Sequence, residues 1–218
     1  MDEGSPEELA KTILGALELG VPGSVSLLRG SLAEGNADRY SDIDVLWEVP
    51  DDRLLAAIAR VGDILSAVAA IESLRSDPAF QHSQKRRLFY LRFAEVPLFW
   101  RLDLDVLARS VGHDDAYDRT NVGARGSAWS PTESALMNVA AAIKAHHRGN
   151  DRAALDLLRR GCERVGLEPR RERLGDQLLD LVEGIRELDP GTVLLVERIM
   201  MLITDAFPEV DHENSGYA

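Results

Sequence analysis

The segment Leu27-Leu28-Arg29-Gly30-Ser31, followed by Tyr40-Ser41-Asp42-Ile43-Asp44-Val45-Leu46, decides the predicted fold. The first segment is typical of a short apolar strand that ends at a glycine and a serine. The second alternates polar and apolar side chains, which predicts a strand over residues 42–49. Because residues two positions apart in a strand share a face, its two aspartates point the same way and the residues between them enter the core.

Two carboxylates at this spacing repel one another unless a cation or a proton lies between them. Hard oxygen ligands suit Mg²⁺, which keeps several waters and binds through a few carboxylates together with substrate phosphates. Asp42 and Asp44 are therefore predicted metal ligands. Gly30 lets the backbone approach a phosphate closely and Ser31 adds a hydroxyl donor, so that the pair predicts a phosphate-binding turn.

Further carboxylates follow on a later strand. Two segments, 87–93 and 98–107, flank a short connection and predict a hairpin. The second of them places Arg101, Asp103 and Asp105 on one face, opposite an apolar face. If it pairs beside the first acidic strand, the carboxylates converge, and two metal ions about 3.5–4 Å apart can then stabilise both the attacking and the leaving oxygens of an in-line displacement.

This order of motifs resembles the nucleotidyltransferase superfamily, the DNA polymerase β-like fold, over about residues 25–107. The family pattern is a Gly-Ser, a spacer, an Asp-x-Asp and one later strand carboxylate. The resemblance implies that the Gly-Ser pair binds the phosphates of a nucleotide and that Asp42 and Asp44 hold Mg²⁺. It also implies that Asp105 is the third carboxylate, which in the family often acts as, or assists, the general base; Asp103 shares its face and competes for this role.

Two basic residues are further candidates for binding the triphosphate. Arg101 lies on the acidic face and can pair with phosphate or with the carboxylates. Lys144 lies on a predicted helix in the C-terminal half, in a region from which related enzymes often use a basic residue. The alternative interpretation of Lys144 is a solvated lysine on the helix face.

The whole chain predicts an α+β protein with two domains. Residues 1–128 are expected to form a nucleotidyltransferase domain, a mixed sheet with flanking helices. Residues 129–218 are expected to form a helical bundle, because four segments with helical periodicity follow the capping pattern Ser130-Pro131-Thr132-Glu133. The resemblance implies that this bundle binds the acceptor. The last residues, 209–218, are predicted to be disordered.

Its size and helical half make the chain most similar, within the superfamily, to small adenylyltransferases that modify aminoglycoside and lincosamide antibiotics. The resemblance implies transfer of a nucleoside monophosphate, AMP from ATP or the equivalent from another nucleoside triphosphate, to a hydroxyl of a small molecule, as in antibiotic resistance. One alternative is an antitoxin-like nucleotidyltransferase that modifies or binds a protein partner. Another has no catalysis, with Asp42 and Asp44 forming only a charged turn. The resemblance also allows a homodimer.

Composition narrows the class of partner. The net charge of −12 argues against a protein that coats nucleic acid and favours a small, even a cationic, substrate. The single cysteine, Cys162, excludes an internal disulfide, and no apolar run approaches the roughly 18 residues of a membrane span. The first residues are acidic and lack the pattern of a signal peptide, so the expected location is the cytoplasm.

Overall fold

The computed structural model describes residues 5–112, 114 and 116–209 of the chain. The chain divides into two compact units, Met1–Trp129 and Ser130–Ala218. Among the described residues, the first unit contains one mixed sheet of five strands with three α-helices, and the second contains four α-helices. The predicted fold class, α+β with a C-terminal helical part, is confirmed.

The sheet contains the strands β1 (Val25–Arg29), β2 (Ile43–Val49), β3 (Ile71–Ser76), β4 (Arg86–Phe93) and β5 (Leu102–Ala108). Their order across the sheet is β1-β2-β5-β4-β3, with β2 and β5 parallel and every other pair antiparallel. The two strands that carry the predicted carboxylates are therefore direct neighbours. The sequence did not predict β3, because its side chains are all only partly buried and show no alternation.

Three helices accompany this sheet: α1 (Pro6–Gly20), α2 (Gly30–Glu34) and α3 (Leu54–Ser66). A capping box starts α1, since the Ser5 hydroxyl accepts from the Glu8 amide at 3.2 Å and the Glu8 carboxylate accepts from the Ser5 amide at 3.3 Å. The apolar stripes of α1 and α3 pack on one face of the sheet. The core between them includes Ile13, Leu17, Ile43, Val45, Trp47, Val61, Leu65, Leu91, Leu102 and Leu104.

The hairpin of β4 and β5 has a longer connection than the sequence predicted, spanning residues 94–101 instead of 94–97. The extra residues form a turn, in which the Trp100 amide donates to the Pro97 carbonyl at 2.9 Å. The Trp100 indole donates to the Arg39 carbonyl at 2.9 Å, and Phe99 packs edge-on against Tyr40. This segment therefore packs on the loop before β2 instead of extending β5.

The second unit contains α4 (Pro131–His147), α5 (Asp151–Val165), α6 (Leu174–Leu188) and α7 (Val193–Ala206). Side-chain caps start two of these helices: Ser130 accepts from the Glu133 amide and Asn150 from the Ala153 amide, each at 3.1 Å. The apolar faces of the four helices form the core of this unit, with Leu136, Val139, Ile143, Leu158, Leu178, Val182, Ile185, Val196, Ile199 and Ile203 buried.

In the described part of the chain, no helix is both long enough and apolar enough to cross a bilayer. The tail predicted to be disordered falls almost entirely on residues 210–218, which lie outside the described residues.

Candidate active site

One row of side chains crosses all five strands on the sheet face opposite to α1 and α3. Backbone pairing aligns Arg29 with Asp44, Asp44 with Asp103, Asp103 with Tyr90, and Tyr90 with Arg75. Residues next to this row along the central strands, such as Val45 and Leu104, belong to the core on the other face. The row therefore has two carboxylates at its centre and a guanidinium at each end.

Asp42, which immediately precedes β2, completes an acidic cluster with Asp44 and Asp103. Each residue offers one carboxylate oxygen, and these three oxygens lie within 4.8 Å of one another. All three side chains are half-buried, so that water can reach the cluster. Carboxylate oxygens with room for water match the preference of Mg²⁺ for hard oxygen ligands, and three negative charges at this spacing favour a bound cation. The residues present thus fit a divalent metal.

The position of Asp42 follows from the structure of the loop before it. Asp38 accepts from the Tyr40 amide at 2.9 Å and from the Ser41 hydroxyl at 3.1 Å, and the Ser41 amide donates to the Asp38 carbonyl at 2.9 Å. These contacts form a closed turn typical of aspartate and serine. The amide of Ile43 then donates to the Arg101 carbonyl at 2.9 Å. Asp42 is thereby held between a fixed turn and the first pairing of β2 with the segment that leads into β5.

Gly30 lies directly against the acidic cluster. Its φ is +59°, and a Cβ built on it would lie only 2.5 Å from the Asp44 Oδ2 atom. Only glycine combines this backbone conformation with so close an approach. Gly30 and Ser31 begin the short helix α2, so the turn that the sequence predicted is the start of a helical segment that follows β1 without a loop.

Asp105 is placed differently from the expectation that it is the third metal ligand. Its carboxylate accepts two hydrogen bonds from Arg86, at 2.9 Å from Nε and 2.8 Å from Nη2, and Arg29 lies 3.9 Å away. The register pairs Asp105 with Leu46, two residues beyond the pairing of Asp44 with Asp103, which is about 6.6 Å along the strand. The structure therefore brings Asp103 to the cluster and pairs Asp105 with a buried arginine.

Arg101 contacts the cluster through Asp103. Its guanidinium donates to both carboxylate oxygens, at 2.6 Å from Nε and 2.7 Å from Nη2, and lies over the Tyr90 ring at 5.2 Å. Burial alone would lower the pKa of Arg101, but the charge and hydrogen bonds of Asp103, together with the charge of Asp42, raise it. The guanidinium is therefore a permanent positive charge at the edge of the acidic cluster.

Tyr90 is a member of the site that the sequence analysis missed. Its hydroxyl donates to Asp77 at 2.7 Å, and burial, this hydrogen bond and the nearby carboxylates raise the pKa of Tyr90. A signal was present: Leu88, Tyr90 and Arg92 alternate with apolar core residues along β4, which places the tyrosine on the acidic face.

Lys144, the other predicted basic residue, lies in the last turn of α4 in the second unit and is half-buried. Its predicted role in binding the triphosphate rests on the family resemblance and stays a prediction.

No family model matches the chain, and no curated protein matches it. Three similar solved structures are a cytoplasmic RNA terminal U-transferase, the GLD-2/RNP-8 complex, and an antigenic nucleotidyltransferase-like protein from Paracoccidioides brasiliensis. Their sequence identities to the chain are 16%, 12% and 13%, and their TM-scores are 0.36, 0.36 and 0.28.

The matched region covers 67% of this chain and 42% of the U-transferase chain, so the chain spans less than half the length of that structure. The corresponding values are 81% and 74% for the GLD-2/RNP-8 complex and 89% and 94% for the nucleotidyltransferase-like protein. At these identities and TM-scores the similarity indicates no activity for this chain. Any inference about activity rests on the acidic cluster.

Proposed function

We propose that the chain is a metal-dependent nucleotidyltransferase that moves a nucleoside monophosphate from a nucleoside triphosphate to a hydroxyl group. One observation carries this proposal: carboxylate oxygens of Asp42, Asp44 and Asp103 lie within 4.8 Å of one another. The Gly30 backbone approaches Asp44 too closely for any side chain, which places the start of α2 directly beside these carboxylates. Candidate metal ligands and a glycine turn suited to phosphate binding thus occur together.

In the proposed reaction, the acceptor oxygen attacks the α-phosphorus and the bond to the bridging oxygen breaks, so that pyrophosphate leaves. Mg²⁺, when bound to Asp42, Asp44 and Asp103, supplies polarisation of the phosphoryl oxygens and neutralisation of the developing charge. Asp103 lies at the edge of the cluster and is proposed to accept, directly or through a water, the proton of the attacking hydroxyl. Gly30 orients the phosphates against the carboxylates.

Asp103 replaces Asp105 as the third ligand in this proposal. Asp103 lies opposite Asp44 in the sheet, whereas both oxygens of Asp105 are held by Arg86. Recruiting Asp105 would leave a buried guanidinium without its counter-charge, which is costly.

The donor is proposed to be ATP, with other nucleoside triphosphates to be tested, and the acceptor a small cationic molecule such as an aminoglycoside. The net charge of −12 supports a cationic acceptor. The helical unit is the proposed acceptor-binding part. In support, this unit contains a cavity of about 560 Å³ whose lining is largely apolar and includes two carboxylates and one guanidinium, those of Glu163, Glu168 and Arg159.

The test is to incubate the protein with Mg²⁺ and labelled nucleoside triphosphates in the presence of aminoglycosides, lincosamides or a protein extract. Pyrophosphate release with a labelled small molecule supports the proposal, and a labelled protein band supports the antitoxin-like alternative. Asp42→Asn and Asp44→Asn are expected to abolish turnover without unfolding the chain. Asp63→Asn, an exposed aspartate on α3, serves as the matched control and is expected to keep it. Near-native turnover in Asp44→Asn would contradict the metal site.

A further inference from the structure

We infer that Arg101 and the metal compete for Asp103, so that metal entry releases the guanidinium and makes it available to the triphosphate. The inference rests on the proposed nucleotidyltransferase site. It assigns Arg101 a role as a positioning residue that links metal binding to triphosphate binding.

The first argument is that Arg101 holds the same carboxylate that completes the cluster. Both oxygens of Asp103 accept from the guanidinium, at 2.6 and 2.7 Å. One of these oxygens is also the atom that Asp103 contributes to the group of three. A divalent ion at that oxygen would therefore be next to a full positive charge, and the repulsion at such a distance is strong even in a partly hydrated site. Metal and guanidinium thus oppose one another at Asp103.

The second argument is that this pair can open. The side chains of Arg101 and Asp103 retain 23% and 19% of their exposure. The neighbouring pair of Arg86 and Asp105 retains only 4% and 9%, so that separating it would leave a charge in a dry interior. Water can solvate the Arg101 guanidinium as it leaves Asp103, and it cannot do so for Arg86.

The third argument is that the Tyr90 ring supports the guanidinium independently of Asp103. While Arg101 is paired with Asp103, its central carbon is 5.2 Å from the centroid of the Tyr90 ring, within the range of a cation–π interaction that can persist as the pair opens. The ring is held in place because its hydroxyl donates to Asp77 at 2.7 Å. Once the two hydrogen bonds to Asp103 are lost, those N–H donors become available to an anion, and the planar fork fits phosphate oxygens. The triphosphate is the anion that the proposed reaction brings to this face.

The experiment measures Mn²⁺ binding to the full chain without nucleotide, from the electron paramagnetic resonance signal of free Mn²⁺. Arg101→Gln is expected to bind Mn²⁺ at least about tenfold more tightly than the native chain, because the competing charge is gone. Arg101→Lys keeps the charge and is expected to bind Mn²⁺ as the native chain does. Arg53→Gln makes the same change of net charge at an exposed arginine and is expected to alter the affinity by less than about twofold.

A second measurement, of the affinity for a triphosphate, is expected to change in the opposite direction to the Mn²⁺ affinity. With Mn²⁺ saturating, Arg101→Gln is expected to bind a non-hydrolysable triphosphate about tenfold more weakly, because the released guanidinium is missing. If Arg101→Gln weakens both affinities, Arg101 only supports the geometry of Asp103 and the inference is overturned, while the metal site stands. If Mn²⁺ binds neither the native chain nor the variant, the proposed function is overturned as well. Arg101→Met also lacks the charge and has the same expected outcomes, and it keeps the test decisive if Arg101→Gln does not fold.

Discussion

Strand β5 contributes the carboxylates of two arginine–carboxylate pairs that share their chemistry and differ in their surroundings. We call Arg101–Asp103 the outer pair and Arg86–Asp105 the inner pair. Both are bidentate, and in both the guanidinium lies over an aromatic ring, Tyr90 in the outer pair and Phe80 in the inner pair. Their carboxylates are only two residues apart on one strand face. The proposed difference in role therefore comes from burial and neighbours alone.

The inner pair is enclosed. Arg86 also donates to the Tyr117 carbonyl at 3.1 Å, and the Asp105 side chain keeps 9% of its exposure. The outer pair is only partly buried and has two more carboxylates, those of Asp42 and Asp44, next to it. An enclosed pair resists rearrangement because separating it leaves a charge in a dry interior, whereas a partly exposed pair can exchange partners. The comparison shows why the outer carboxylate suits chemistry and the inner one suits structure.

The largest expected effect is on turnover, and it distinguishes the role of Asp103 from that of Asp105. Asp103→Asn should lower kcat by about 10³-fold or more, because a lost metal ligand removes several kcal/mol of transition-state stabilisation. The folded fraction of Asp105→Asn should retain most of the native turnover. Steady-state kinetics at a temperature at which circular dichroism shows both variants folded provide the comparison. If Asp105→Asn is inactive while Asp103→Asn is active, the third ligand is Asp105.

The same comparison can be made for stability through the two arginines. Arg86→Met should lower the free energy of unfolding by about 3–5 kcal/mol, because it leaves the buried Asp105 charge without its partner. Arg101→Met should cost less than Arg86→Met, about 1–3 kcal/mol, since the outer pair keeps part of its exposure. Urea unfolding at neutral pH measures both values. Equal losses would mean that the outer pair is as structural as the inner one.

A substitution at Gly30, beside the acidic cluster, tests the geometry of the proposed metal site. Gly30→Ala should lower turnover by about 10²-fold, because the new methyl group would meet Asp44 Oδ2 at 2.5 Å and displace that carboxylate. Gly35→Ala is the matched control: its φ is also positive, at +70°, but a Cβ there meets nothing within 4 Å. Both variants should lose about 1 kcal/mol of stability from backbone strain. Similar kinetics in the two would show that the close approach at Gly30 is irrelevant to catalysis.

The smallest effect concerns Tyr90, which lies under the outer pair. Its pKa is raised in the folded chain by burial and by the hydrogen bond to Asp77, so folding disfavours the phenolate. The resulting stability is fully present below the unfolded value near 10 and is lost as the pH rises above it. By about pH 11 the free energy of unfolding of the native chain should fall by up to about 1 kcal/mol more than that of Tyr90→Phe. Solvent screening reduces this difference. Chemical unfolding at pH 9 and 11 tests this, and parallel pH profiles would contradict the prediction.

The sequence by itself determined the local structure and the faces of the strands. Alternation along residues 42–49 placed Asp42 and Asp44 on one side and the core residues on the other, because the side-chain period of a strand is two. The Ser5 and Ser130 patterns located two helix starts, because the hydroxyl and the amide that it accepts from lie within one turn of chain. These are short-range interactions, and neighbouring residues specify them completely.

Only the tertiary structure decided which carboxylates meet. Alternation gives Asp103 and Asp105 the same face, and the register of β5 against β2 alone pairs Asp103 with Asp44. That register depends on how the apolar faces of both strands pack under α1 and α3, and on the arginine that each acid finds, Arg101 or Arg86. The edge strand β3 was likewise invisible in the sequence, because its pairing with β4 defines it. Contacts between distant segments set these features, and no local pattern encodes them.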